Sequence, residues 1–160
     1  MSRIYLDIDG VITARRGSVP NLEELHFDSF DAVLEWRPAD VIRLMESFDE
    51  VVWATTWIFE PTHLDEVERV LGVKHERVDL KLPEYVRGRA TANSGKRAAV
   101  QRHLEANPQK KAGRTPLVWA DDELGLGDFN WCIESKVAPV RPLYDEGGVY
   151  VMLERLIEGP

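Results

Sequence analysis

Ile4-Tyr5-Leu6-Asp7-Ile8-Asp9-Gly10-Val11 decides the fold of this chain. Its apolar run reads as a buried strand over Arg3 to Asp7. The strand ends in two carboxylates two residues apart, then a glycine that permits a sharp turn. Residues two apart in an extended segment point the same way, so Asp7 and Asp9 are expected to converge on one point while Ile8 faces elsewhere. Converging carboxylates repel unless a cation or proton lies between them. Solvated acids at a strand end are the plain alternative, and the rest of the chain decides against it.

Moving outward, further apolar runs are expected to be buried strands at Glu50 to Ala54, around Val78-Asp79-Leu80, at Pro116 to Ala120 and at Val137 to Val140. Helical patterns lie between them. Pro38 to Ser47 opens with a proline suited to a first turn and sets Val41, Leu44 and Met45 on one face. Pro61 to Leu71 does the same with Leu64, Val67 and Leu71, and Gly72 stops it. Pro83 to Asn93 reads as loop or short helix. Ser94 is expected to N-cap a helix whose face includes Ala98, Val100 or Gln101, and Leu104. Gly148 to Ile157 reads as a last helix. Strands alternating with helices specify an α/β fold with a central, mainly parallel five-stranded sheet. Gly10 to Trp36 is different: Val11-Ile12-Thr13 and Ala32 to Trp36 are strand-forming and the middle is turn-rich. It is expected to be a β-hairpin flap with a long loop (about residues 10–37) over the carboxylates.

The bulk properties bound the function. At 160 residues, 44% hydrophobic and 30% charged, the chain suits one domain with a sizeable core. No run reaches the length of a membrane span, and the first strand begins without a signal core. Cys132 is the single cysteine and fits a reducing cytoplasm. Four histidines and one cysteine give no zinc spacing. A net charge of −8 disfavours nonspecific nucleic-acid binding. Local basic clusters remain at Arg87, Arg89, Lys96 and Arg97, and at Lys110, Lys111 and Arg114, each readable as a solvated face.

Three of the expected strands end in Asp7/Asp9, Thr55/Thr56 and Asp121/Asp122. Ligands of open parallel sheets bind beyond the carboxyl ends of the strands, so these residues should share one rim. Four carboxylates there call for a metal, and hard oxygen ligands suit Mg²⁺, which binds phosphate oxygens alongside a few carboxylates. A lysine would complete the charge balance around a phosphate. Lys96, at a helix start that itself favours an anion, is preferred over Lys81, which follows a possible strand. Ser94-Gly95-Lys96 is not a P-loop, because Ala90 and Arg97 occupy positions that require glycine and a hydroxyl.

These residues resemble the four motifs of the haloacid dehalogenase (HAD) superfamily, in order and over nearly the whole chain. Asp7-Ile8-Asp9-Gly10-Val11 resembles the first, Thr55 the second, Lys96 the third and Asp121-Asp122 the fourth. The surroundings Trp53-Ala54-Thr55-Thr56-Trp57 and Trp119-Ala120-Asp121-Asp122-Glu123 look most like small, cap-poor HAD proteins of actinobacteria and their phages, and similar domains occur in RNA-repair proteins. The resemblance implies a Rossmann-like three-layer sandwich and a Mg²⁺-dependent phosphomonoester hydrolase. Asp7 would be the nucleophile and Asp9 the general acid and base. Thr55 and Thr56 would hold the phosphoryl group and Lys96 would neutralise it. Asp7, the Asp9 carbonyl, Asp121 and Asp122 would hold the metal. An acid at position 9 is what separates the phosphatases from the dehalogenases of the family.

Neither place where the family inserts a cap is long enough for one, so an open site and a large substrate are expected. A nucleotide or nucleic-acid end leads, with a phosphoprotein or small metabolite as alternatives. Arg15, Arg16 and Arg37 flank the flap; Arg15 and Arg37, with Gly10, are the candidate substrate contacts. Trp57 could stack on a base. A catalytically silent HAD-fold binding module is the rival class, and the intact set of acids, threonine and lysine argues against it. A receiver-type phosphoacceptor domain would place its acidic pair and acceptor in a different order.

Overall fold

The computed structural model describes residues 2–13, 23–26, 33–109 and 116–142. Five strands form one sheet: β1 (Arg3–Leu6), β4 (Glu50–Trp53), β5 (Glu76–Arg77), β6 (Leu117–Ala120) and β7 (Ala138–Val140). Their order is β5-β4-β1-β6-β7 and every pairing is parallel. Strands β2 (Glu23–His26) and β3 (Val33–Trp36) form a separate antiparallel hairpin, the expected hairpin after the first strand. The helices are α1 (Pro38–Glu46), α2 (Pro61–Leu71), α3 (Leu82–Ala90), α4 (Arg97–Ala106) and α5 (Leu126–Glu134).

The period-two alternation of the strands makes three layers. Ile4, Leu6, Val51, Trp53, Val118 and Ala120 pack with Val41 and Leu44 of α1 and with Leu64 and Val67 of α2. Their neighbours Tyr5, Val52, Leu117 and Trp119 pack on the other face with Ala99 and Val100 of α4 and Cys132 of α5. Parallel strands covered on both faces read as continuous apolar runs, which is why β1, β4 and β6 were legible. Register then sets the site. Leu6 pairs with Trp53 on one side and Ala120 on the other, so Asp7 and Asp121 emerge level, with Thr55 one residue past Ala54. The chain builds β4 and β5 on one side of β1 and then β6 and β7 on the other, a switch point of the kind that opens a crevice at the carboxyl ends.

Several local expectations need correction. Val11 to Thr13 is a turn, not a strand: the amides of Val11, Ile12 and Thr13 all donate to the Ile8 carbonyl (3.0–3.3 Å). The third strand is Glu76–Arg77, not Val78 to Leu80; Val78 and Leu80 are buried, so their apolar pattern marks burial beyond the ladder. The fourth helix begins at Arg97 with Lys96 in the cap position, and Ser94 Oγ accepts from the Lys96 amide (3.2 Å) one step earlier. Its buried face is Ala99, Val100 and His103, not Ala98 and Gln101, which are exposed. Helix α5, which starts just past Gly125, was not among the expected elements. Arg15, Arg16, Lys110, Lys111, Arg114 and the helix expected over Gly148 to Ile157 lie outside the described residues. Among the described residues no helix is long and apolar enough to cross a membrane.

Candidate active site

The carboxyl ends of β1, β4 and β6 deliver a buried polar cluster. Asp7 follows β1 and is 3% exposed. Its amide donates to the Ala120 carbonyl (3.0 Å) and its Oδ1 accepts from the Ile8 amide (2.8 Å). Asp121 follows β6, is fully buried, and accepts the Glu123 amide at Oδ1 (2.8 Å). Lys96 reaches both from the start of α4: its Nζ lies 2.7 Å from Asp7 Oδ2 and 2.7 Å from Asp121 Oδ2, with the residue 1% exposed. Lys81 is exposed and sits 3.8 Å from Asp79. Between the two candidate lysines, Lys96 is the one at the cluster.

Electrostatics show an excess of negative charge. Burial opposes the ammonium of Lys96, but the carboxylates of Asp7 and Asp121 outweigh it and raise its pKa. Burial, added to the charge of Asp7, pushes Asp121 up to about 8 despite the lysine. The same two causes push Asp122 up to about 6. One lysine therefore does not balance three acids. Carboxylate oxygens of Asp7, Asp121 and Asp122 lie within 4.8 Å of one another. An all-oxygen, net-negative donor set of this size fits a hard divalent cation. Gly10 makes room for it: with φ +69° it turns the chain, and a Cβ there would sit 2.7 Å from Asp122 Cγ.

Asp9 stands at the edge of this group, where the charges of Asp7 and Lys96 act on it. The turn that begins at Ile8 leaves it exposed, outside the three-carboxylate group. Its Oδ2 accepts a hydrogen bond from Trp57 Nε1 (2.9 Å). Desolvation of the carboxyl raises its pKa; the Trp57 bond opposes this and the charge of Asp7 adds to it. Thr55 is fully buried, in extended conformation, and its Oγ1 accepts from the Trp57 amide (3.3 Å). Thr56 follows, partly buried, as the first residue of a 3₁₀ turn, Thr56–Phe59. Arg37 stands at the start of α1, where its Nε pairs with Asp40 (2.8 Å).

Two residues of this region were missed by sequence reasoning. Trp57 was named only as a residue that could stack on a base, and its indole N–H anchors Asp9. Asp128, fully buried, accepts at Oδ2 from the amides of Ser94 (2.7 Å) and Gly125 (2.9 Å), tying the loop before Lys96 to the start of α5. The run Gly125-Leu126-Gly127-Asp128 carries the only sequence signal for that second role, an acid in the first turn of a helix.

Over residues 3–144 the chain matches a family described as the HAD domain in Swiss Army Knife RNA repair proteins. No curated protein and no solved structure matches it.

Proposed function

Because the chain belongs to the family of HAD domains in Swiss Army Knife RNA repair proteins, we propose that it is a Mg²⁺-dependent phosphatase that removes terminal phosphates from nucleic acid. The observation that carries this reading is the buried bridge from Lys96 Nζ to both Asp7 and Asp121 at 2.7 Å. It gathers a nucleophile, a cation and a metal-ligand acid at one point.

In this reading a carboxylate oxygen of Asp7 attacks phosphorus and the bond to the leaving oxygen breaks, giving an aspartyl-phosphate. Asp9 donates its proton to the leaving oxygen. It then takes a proton from the water that attacks phosphorus, and cleavage of the acyl-phosphate bond restores Asp7. The elevated pKa of Asp9 supports the first of these duties. Lys96 and Thr55 hold phosphoryl oxygens, with the Thr56 amide beside them. Mg²⁺, held by Asp7, Asp121, Asp122 and the Asp9 carbonyl, would supply charge neutralisation at the phosphoryl group. Positioning and electrostatics of this kind account for most phosphoryl-transfer catalysis.

The substrate class rests on two supports. The family takes its description from RNA repair proteins. Between Thr55 and Lys96 the chain forms only the 3₁₀ turn, α2, β5 and α3, so no folded cap stands there and a polymer end has access. A lone, buried Cys132, its thiol pushed up to about 11 by burial, suits a reducing, cytoplasmic setting.

The test compares p-nitrophenyl phosphate, nucleoside monophosphates, a phosphopeptide and 3′- or 5′-phosphorylated oligonucleotides, with and without Mg²⁺. The phosphorylated oligonucleotides should be the best substrates, Mg²⁺ should be required, and Asp7→Asn should abolish turnover. Preference for the phosphopeptide or a free nucleotide would replace the substrate assignment. No turnover on any of them would remove the phosphatase reading.

A further inference from the structure

The basic run Arg87, Arg89, Lys96, Arg97 divides in the fold. Lys96 turns inward to Asp7, while the three arginines remain around two hollows. The larger, about 340 Å³, lies between α3 and the start of α4 and is lined by Arg87, Thr91, Asn93, Arg97 and Gln101. The smaller, about 180 Å³, is lined by Arg89, Ala92, Asn93 and Glu123. Asn93 belongs to both, and Glu123 directly follows Asp122. Sharing Asn93, the two hollows make one path past the residue that follows Asp122.

The chemistry of this path suits an anion. Arg87 is exposed and makes no side-chain hydrogen bond or ion pair among the described residues. Arg97 is fixed by Asn93 Oδ1 (3.4 Å) and lies 3.9 Å from Asp128, leaving further N–H donors of its fork available. Glu84 is the acid lining the larger hollow, and both of its oxygens are taken by Arg102 Nη1 (3.1 and 2.8 Å). Arginine is the side chain best matched to phosphate oxygens. In a chain of net charge −8, such a stretch is where a polyanion finds a footing.

The wall is also preorganised. Ala92 holds φ +58°, a conformation that a non-glycine residue keeps only where the surroundings enforce it. Thr91 Oγ1 donates to the Gly88 carbonyl (3.0 Å) and accepts from Asn93 Nδ2 (3.0 Å). Gly88 and Gly95 touch so closely that a Cβ on Gly88 would lie 2.6 Å from the Gly95 amide. Gly95 in turn precedes Lys96, so the wall adjoins the lysine that reaches Asp7.

We infer that this path binds the sugar–phosphate backbone of a single nucleic-acid strand, with Arg87 and Arg97 on the phosphates behind the end that enters the Asp7 site. A concave path of this volume suits a threaded strand, not a duplex laid across it. This assignment rests on the phosphatase reading above, deepening it from an end group to a strand.

Binding and chemistry are measured separately to test it. Fluorescence anisotropy follows a labelled, unphosphorylated ten-nucleotide RNA and its DNA counterpart on wild type, Arg87→Glu and Arg87→Gln. Turnover of p-nitrophenyl phosphate is followed on the same proteins. Arg87→Glu should weaken oligonucleotide binding about tenfold or more, with Arg87→Gln between. The slope of log K against log salt should fall by about 0.7, one single-strand phosphate. Turnover of p-nitrophenyl phosphate should not change, which also shows that the variants fold. Oligonucleotide binding that ignores Arg87→Glu, or binding and p-nitrophenyl phosphate turnover falling together, overturns the path. Absence of all turnover with Arg87-dependent binding intact would sink the phosphatase reading and leave the strand path standing. RNA bound in preference to DNA would place a 2′-hydroxyl contact on the path, and equal binding would assign it to phosphate alone.

Discussion

The indole of Trp57 donates a 2.9 Å hydrogen bond to Asp9 Oδ2, joining the turn after β1 to the turn after β4. These residues lie 48 positions apart. The bond fixes the most exposed acid of the gathered set, so in the proposed mechanism Trp57 would be a positioning residue for proton transfer.

Trp57→Phe keeps the ring and removes the donor. Loss of one hydrogen bond to a carboxylate costs about 1.5 kcal/mol or more, roughly tenfold in rate. The loss should depend on the leaving group. A p-nitrophenolate departs without a proton, so turnover of that ester should fall little, whereas an alkyl phosphate should lose about tenfold in kcat. Equal losses on both esters would place the effect in the shared step in which Asp9 takes a proton from water, and no loss on either would deny Trp57 a positioning role.

Divalent-ion binding has a readout independent of turnover. Mg²⁺ at about one hundred times its Kd should add roughly 2.7 kcal/mol to the folded state, visible as a higher Tm. Asp122→Asn removes one of the three gathered carboxylates and should abolish most of that shift while leaving the metal-free Tm near wild type. A full Mg²⁺ shift in this variant would contradict the assigned ligand set.

Gly10→Ala tests the packing under the site. The residue needs φ +69°, and a Cβ would sit 2.7 Å from Asp122 Cγ. Strain and the displaced carboxylate should together cost about 1–3 kcal/mol by urea unfolding and weaken Mg²⁺ binding. An unchanged urea midpoint would contradict the close approach.

The strand ends were legible because buried parallel strands are continuous apolar runs, and any acid or threonine that ends one stands out. The residues that hold those ends in place were not. The role of Trp57 was not legible because the partner of its N–H lies 48 positions away in sequence. Asp128 and α5 went unassigned because two glycines, Gly125 and Gly127, open the helix and weaken its apolar periodicity. Val78 and Leu80 looked like a strand because burial and ladder pairing leave the same apolar trace in sequence. Asp9 was expected to converge with Asp7 by strand alternation; the amides of Val11, Ile12 and Thr13 fold back onto Ile8 and leave Asp9 exposed, where the charge of Asp7 still acts on it.

Glu68 predicts how stability depends on pH. This buried acid of α2 accepts from Trp53 Nε1 (3.0 Å), the His75 amide (3.0 Å), Lys74 (2.8 Å) and Arg77 (2.9 Å). Burial would raise its pKa, but these partners prevail and hold it below the usual carboxylate value of 4.5. A depressed folded pKa gives stability that is complete above the unfolded value and lost as pH falls through the folded one. Glu68→Gln should therefore destabilise by about 2 kcal/mol at neutral pH, and the gap to wild type should close as pH falls below about 4. Trp53 fluorescence in urea reports both. A gap that stays constant down to acid pH would show that the charge of Glu68 is not what its partners recognise.

The central claim is that Asp7 takes the phosphoryl group. Acid quenching of the enzyme during turnover of a ³²P-labelled phosphate ester, followed by peptide mapping, addresses it directly. The predicted result is an acid-stable, hydroxylamine-sensitive label on the peptide that contains Asp7, absent in Asp7→Asn. Turnover with no label on the protein, or label on a peptide without Asp7, would contradict the account.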